Sequence, residues 1–277
     1  PTRPPSRAGP HAAQTHVSVS TAGRAGVVTS AVGRTAEGPT EHVHVVAGRR
    51  FTCAADGFWQ SHRLGAQDQF AYLKPALFHD SFSVKADPNT GLTRHHAWLA
   101  KHAGLIVRSR ETFMTHNKEK YGLPVVIWVA CEVWDFGCMS TLFAGLTTAD
   151  QDVIAQSYGV SDGRVFASWL RGLNYLRNVC AHHSRLWNRN IVEEPRLPAL
   201  GEIAALDGFI GGSKSALRTR PFLLLCICQH LMQVINPSST WGQRLKQHLV
   251  SEFPDLTHLG LTLQGMGVDE GWEQRVW

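Results

Sequence analysis

Apolar positions along most of this chain recur every three or four residues, the period of an amphipathic helix. No stretch alternates in the way a half-buried strand would, and no segment repeats. The pattern predicts an all-α protein. Residues 69–78 read as a short helix or turn, followed by a turn cluster at Asp87-Pro88-Asn89-Thr90-Gly91. A long basic helix is expected from Thr93 to about Lys120, with Trp98, Leu99, Leu105 and Phe113 on its apolar side. Leu123-Pro124 then opens a helix that is apolar almost all round as far as Trp134, with Pro suited to the first turn. Within it Glu132 is the exception and is expected to pair with an Arg or with a neighbour's backbone.

Asp135-Phe136-Gly137 interrupts that helix, which resumes over residues 139–146. Thr147 or Thr148 caps a helix covering 149–158, closed by Gly159. Ser161 or Asp162 caps the next. Its stripe of Val165, Phe166, Trp169, Leu170, Leu173, Leu176 and Cys180 is expected to lead, still helical, through residue 186. After a polar connection come helices at 221–235 and 241–252. The first is very apolar but shorter than the roughly 20 residues a membrane span needs, so no membrane partner is expected.

Composition changes this picture at one end. Residues 1–63 contain no Leu, Ile, Lys, Met or Tyr, which is improbable for a folding segment. They are expected to be an unstructured leader, or a stretch translated out of frame, with the helical domain occupying 64–277. Elsewhere the 43% hydrophobic content of the 277 residues supports a real core. The net charge of +5, with 15 histidines uncounted, permits a polyanionic partner without establishing one. The six cysteines have neither zinc-ligand spacing nor the density of a disulfide framework, which points to a reducing, cytoplasmic setting with no metal. Histidines 95, 96, 102 and 116 read as solvated surface.

Candidate chemistry concentrates in Asn-Tyr-Leu-Arg-Asn-Val-Cys-Ala-His-His-Ser-Arg-Leu-Trp-Asn-Arg-Asn, residues 174–190. On a helix, Asn178, His182, Arg185 and Arg189 form one polar stripe, with Arg177 leaning over it. Cleaving RNA without a metal needs a group that takes the proton of the 2′-hydroxyl, cations for the phosphate, and a proton for the leaving oxygen. His182 suits the acid or base role because histidine is the side-chain type suited to proton transfer near neutral pH. Arg177 offers a permanent forked donor to phosphate oxygens. Asn178 is assigned to orienting the imidazole or the ribose. His183, Arg185 and Arg189 are substrate-binding candidates, although His183 also reads as a structural histidine and the arginines as partners for Glu132, Glu193 or Glu194. Trp187 reads as a packing anchor. One helix supplies one such set, so a full acid/base pair comes most simply from an isologous dimer.

Arg177-Asn178-x-x-Ala181-His182-His183-x-Arg185-Leu186-Trp187-Asn188-Arg189 resembles the signature of the Abi-like (abortive infection, AbiD/AbiF-type) bacterial phage-defence proteins. Within it, Arg177 and His182 with the intervening Asn178 match the Arg/His motif of the HEPN ribonuclease superfamily. Leu123-Pro124, Trp128, Glu132, Phe136, Gly137, Ser140 and Leu142 look like the family's second block, and Met266-Gly267, Gly271-Trp272 and Trp277 like its ending. The likeness covers roughly 66–277, and the family's N-terminal blocks have no counterpart. It implies an all-α HEPN helical bundle and metal-independent endoribonuclease activity without a cofactor. Also implied are a homodimer with paired motifs, a role in growth arrest after phage infection, and control by an antitoxin RNA in some members.

Other readings remain. A metal site at Cys180, His182 and His183, or a Cys180 nucleophile, fails on helical geometry, because Cys180 faces the apolar side. A non-catalytic RNA-binding or toxin–antitoxin module could use the same basic surface, and an inactive remnant would carry the motif without the activity.

Overall fold

The structure, a computed structural model, describes residues 60–268 and 271–274. Within them the chain is helical, with three isolated β-bridges and no longer strand. Residues 1–59 of the expected leader and the terminal Trp277 lie outside the described residues, whereas residues 60–63, expected to be unstructured, are helical. The described chain opens with residues 60–65 in a helix, where Gln60, Ser61 and Leu64 are buried. Arg63 Nε holds Asp150 Oδ1 at 2.6 Å, so this first turn is tied to the bundle.

Eleven α-helices follow among the described residues: α1 (Asp80–Ser83), α2 (Arg94–Arg108), α3 (Thr112–Tyr121), α4 (Ile127–Ala130), α5 (Phe136–Gly145), α6 (Thr148–Gln156), α7 (Gly163–Ala181), α8 (Ala204–Asp207), α9 (Ser215–Arg218), α10 (Pro221–Ile235) and α11 (Trp241–Gln247). Caps fall where side-chain oxygens can take an orphan amide. Thr93, Asp135, Thr147 and Asp162 accept from the first turns of α2, α5, α6 and α7. α11 continues as a π turn through Glu252.

The long α7 is the centre. It packs on α5, α6 and α10. Phe166 stacks on Tyr158 at 4.7 Å and meets Phe143 edge-on at 5.2 Å. Trp169 is fully buried, with its Nε1 donating to the Arg196 carbonyl at 2.8 Å. At its start α7 touches α6 backbone to backbone: a β-carbon on Gly163 would stand 2.6 Å from the carbonyl carbon of Gln151. α10 lies across it, buried over most of its length. The closing segment returns to this core through Met266, Val268 and Trp272, the last packed edge-on to Phe222 at 5.2 Å.

A second aromatic cluster joins α2 to residues 70–78 and to the approach to α5. Trp98 stacks on His102 at 5.2 Å, and Tyr72 and Trp134 close around them. Trp134 Nε1 donates to His102 Nδ1 at 2.8 Å, and His95 Nε2 donates to the Tyr72 carbonyl at 2.7 Å. His95 and His102 are therefore core residues, 2% and 7% exposed, which corrects the expectation that they are solvated. Burial pushes the His102 pKa down to about 4 and lowers that of His95. On a helix facing the core, an imidazole that finds a backbone or indole partner behaves as an aromatic. His96 and His116 are exposed, as expected.

Four further expectations change. The basic helix from Thr93 divides into α2 and α3, because Ser109 and Glu111 are extended (ψ 128° and 135°) between them. Pro124 does not start the helix after it. Residues 122–126 run irregularly, with a cis Leu123-Pro124 bond, and α4 begins at Ile127. Glu132 is exposed and needs no buried partner. The last correction concerns α7, which stops at Ala181 rather than continuing to residue 186.

Candidate functional site

α7 ends in a tight hydrogen-bonded reversal. His183 N donates to the Cys180 carbonyl at 3.1 Å and Ser184 N to the Val179 carbonyl at 3.0 Å. This pair of bonds is the Schellman pattern, in which the residue past the cap adopts the left-handed conformation. That residue is usually Gly. Here it is His183, at φ 52°. No Gly or Pro marks the stop, so periodicity gives no warning of it.

Arg177, Asn178 and His182 thus occupy the last turn and cap of α7. Arg177 Nη1 donates to Asn178 Oδ1 at 2.7 Å. Both side chains are half-buried, whereas Ala181, His182 and His183 are exposed. His182 is the C-cap, its amide bonded to the Asn178 carbonyl at 3.0 Å. Its ring has no hydrogen-bonding partner among the described residues. On the far side Leu176, Val179 and Cys180 are buried, as the helical spacing implied, and Leu186, beyond the helix, is buried as well.

The stripe expected to continue through Arg185 and Arg189 does not, because both residues lie beyond the helix. Arg189 Nε donates to the Tyr175 hydroxyl at 2.7 Å, and its guanidinium sits 5.8 Å from that ring's centre. Its Nη1 also reaches the Arg185 carbonyl. It closes the loop onto α7 instead of pairing with an acid. Arg185 remains exposed. Of the acids expected to pair with these arginines, Glu193 meets Arg171 instead, at 3.7 Å.

Trp187 anchors the loop. Its Nε1 donates to the Thr262 carbonyl at 3.0 Å, and a β-carbon on Gly265 would stand 2.9 Å from its ring. Asn188, also left-handed at φ 51°, accepts from Arg220 Nη1 at 2.6 Å. Sequence reasoning did not single out Arg220, which carries no local signal and meets the loop only through the fold. It also passed over Asn174, four residues before Asn178 and so on the same row of α7. That one was legible from spacing.

Chemically, the end of α7 presents a forked cation held by a neighbouring amide and a solvent-facing imidazole one turn away. A helix C-terminus is the wrong end for an anion, by about 0.3–1 kcal/mol. Two of its last carbonyls are taken by the reversal, and Arg177 supplies a full positive charge beside them. Among the described residues no group of His, Cys, Asp and Glu is placed to hold a metal ion, and no helix is long and apolar enough to cross a membrane.

Residues 58–188 match the family described as Abi-like protein. The matched span includes the Leu123-Pro124 to Leu142 block and the Arg177-to-Asn188 motif, and it stops short of Arg189 and of the closing Met266–Trp272 segment. Neither the curated proteins nor the solved structures gave a match.

Proposed function

We propose that this Abi-like chain is a metal-independent endoribonuclease of the HEPN type, acting in abortive-infection defence against phage. The observation that carries the reading is Arg177 hydrogen-bonded to Asn178 in the last turn of α7, with the exposed His182 at its cap.

In this reading the phosphate lies over the end of α7. Arg177 binds a non-bridging oxygen and stabilises the charge that grows there as a fifth oxygen approaches phosphorus. An imidazole takes the proton of the 2′-hydroxyl, the 2′-oxygen bonds to phosphorus, and the bond to the 5′-oxygen breaks. The leaving oxygen needs a proton, and one His182 cannot be base and acid at once in a single step. A second copy of the chain, related by a two-fold axis, supplies the other His182. Asn178 fixes the guanidinium rather than the imidazole. His183 and Arg185 are exposed beside it and serve as substrate contacts. Arg189 contributes through the loop it closes. Control by an antitoxin RNA or protein fits the same exposed surface.

The test is cleavage of RNA in EDTA by purified protein. The wild type is expected to cleave, and His182→Ala and Arg177→Ala to lose roughly two to four orders of magnitude in rate. Equal degradation by all three would remove the site assignment. Binding by all three with cleavage by none would make the chain an RNA-binding or toxin–antitoxin module instead.

A further inference from the structure

One turn before Arg177, the row of polar residues on α7 meets a second group of charges carried by α2 and the start of α5. Asn174, Asn178 and His182 follow one another at four-residue steps, so the row runs about 12 Å along the helix. Lys101 of α2 donates through Nζ to Asp135 Oδ1 at 2.7 Å. That carboxylate also takes the amide of Cys138 at 2.6 Å, as the cap of α5.

Gly137 is what lets these groups converge. A β-carbon there would stand 3.2 Å from Lys101 Nζ, 3.4 Å from Asp135 Oδ1 and 3.5 Å from Asn174 Oδ1. The ammonium of α2 and the amide of α7 thus approach one point across a residue with no side chain. The Asn174 side chain makes no hydrogen bond among the described residues. Arg108, seven residues beyond Lys101 on α2, acts on Asp135 as well. Burial raises the Asp135 pKa, but the bonds from Lys101 and Cys138 outweigh it and hold the group below the usual carboxylate range.

We propose that Lys101 and Asn174 form a second phosphate contact, holding the RNA strand at a nucleotide flanking the one that lies over Arg177 and His182. The contact rests on the ribonuclease reading and deepens it. Lys101 has three donor hydrogens, one of them spent on Asp135. The carboxylate aims the ammonium while the site is empty, and the remaining hydrogens meet a phosphate oxygen. Asn174 donates from its amide nitrogen to the same phosphodiester or to the neighbouring ribose. The Cys138 amide at the start of α5 is already taken by Asp135 and does not bind the phosphate. The chemistry selects a single strand laid along α7, because the contact and the cleavage centre share one helix row.

The probe is a short single-stranded RNA methylated at every 2′-oxygen, which binds but cannot be cut by its own 2′-hydroxyl. Its affinity is followed by fluorescence anisotropy from about 50 to about 200 mM salt. Lys101→Gln is expected to weaken binding about fivefold. It should also flatten the dependence of log K on log salt by about 0.7, the value of one lost phosphate contact on a single strand. Lys101→Arg should restore most of the slope, and Asn174→Ala should weaken binding with little change in slope. Lys85→Gln, which removes an exposed charge outside this group, is the control for net charge. A wild-type slope for Lys101→Gln, or an equal loss in Lys85→Gln, overturns the contact while leaving the cleavage reading intact. A wild type that binds the methylated strand but does not cut ordinary RNA overturns the cleavage reading, and the Lys101 slope still decides the contact. A wild type that binds no RNA overturns both.

Discussion

Arg177 and Asn178 are neighbours in sequence, yet their side chains meet: Nη1 donates to Oδ1 at 2.7 Å on the half-buried edge of α7. Adjacent helical residues point about 100° apart, so the bond requires the longer side chain to fold back over the shorter. A guanidinium held this way presents its remaining donors in one direction.

Asn178→Ala should therefore act through Arg177. The expected loss in cleavage rate is about five- to thirtyfold, corresponding to about 1–2 kcal/mol for a charge-assisted bond. The salt dependence of RNA binding should be preserved, because the charge remains. Arg177→Lys should not rescue, since an ammonium lacks the fork. Cleavage by Asn178→Ala at the wild-type rate would remove Asn178 from the mechanism.

His183 at φ 52° occupies a position where Gly fits without strain. His183→Gly is expected to raise unfolding stability by about 1 kcal/mol, with the fold unchanged, by relieving the left-handed penalty. Cleavage should fall in the same variant if the exposed ring contacts substrate. Thermal melting and the EDTA assay on one preparation read both. A loss of stability would show that the ring's own contacts outweigh the strain.

The buried histidines predict a pH dependence. His102 has its pKa pushed down to about 4 by burial, and burial also lowers those of His95 and His230. In the unfolded chain each titrates near 6.5. Between those values the unfolded chain binds more protons than the folded one, so stability falls as pH drops below about 6.5 and is flat above it. His102 alone accounts for on the order of 3 kcal/mol by pH 4. Urea unfolding at about pH 7.5 and about pH 5 should show the drop. His102→Gln, which keeps an acceptor for Trp134, should reduce it. An unchanged slope in that variant would mean His102 is not the group responsible.

Gly163 fixes how α7 enters the bundle. A β-carbon there meets the α6 backbone at 2.6 and 2.8 Å, contacts that no rotamer change relieves. Gly163→Ala is expected to cost about 2–3 kcal/mol despite the better helix propensity of Ala. The measurement is the urea midpoint. A variant as stable as the wild type would show that α6 can move away.

Much of this molecule was legible from spacing. The buried faces of α7 and α10, the helix starts near Thr93, at Thr147 or Thr148 and at Ser161 or Asp162, and the turn at Gly159 follow from interactions within a few residues, which a linear pattern records. That Arg177, Asn178 and His182 come together at one end of α7 was legible for the same reason, since they are near neighbours in the chain. Where a helix stops was less so. α7 ends at a left-handed histidine, and Arg185 and Arg189 lost their place on the stripe with it. Arg189 found Tyr175, and Trp187 found Thr262, through loop closures that join residues as many as 75 apart in the chain. The fate of His95 and His102 was likewise settled by Tyr72 and Trp134, which come from other segments. Local periodicity measures what each residue can bury, whereas a partner's position depends on how distant segments pack, and only the folded chain holds that distance.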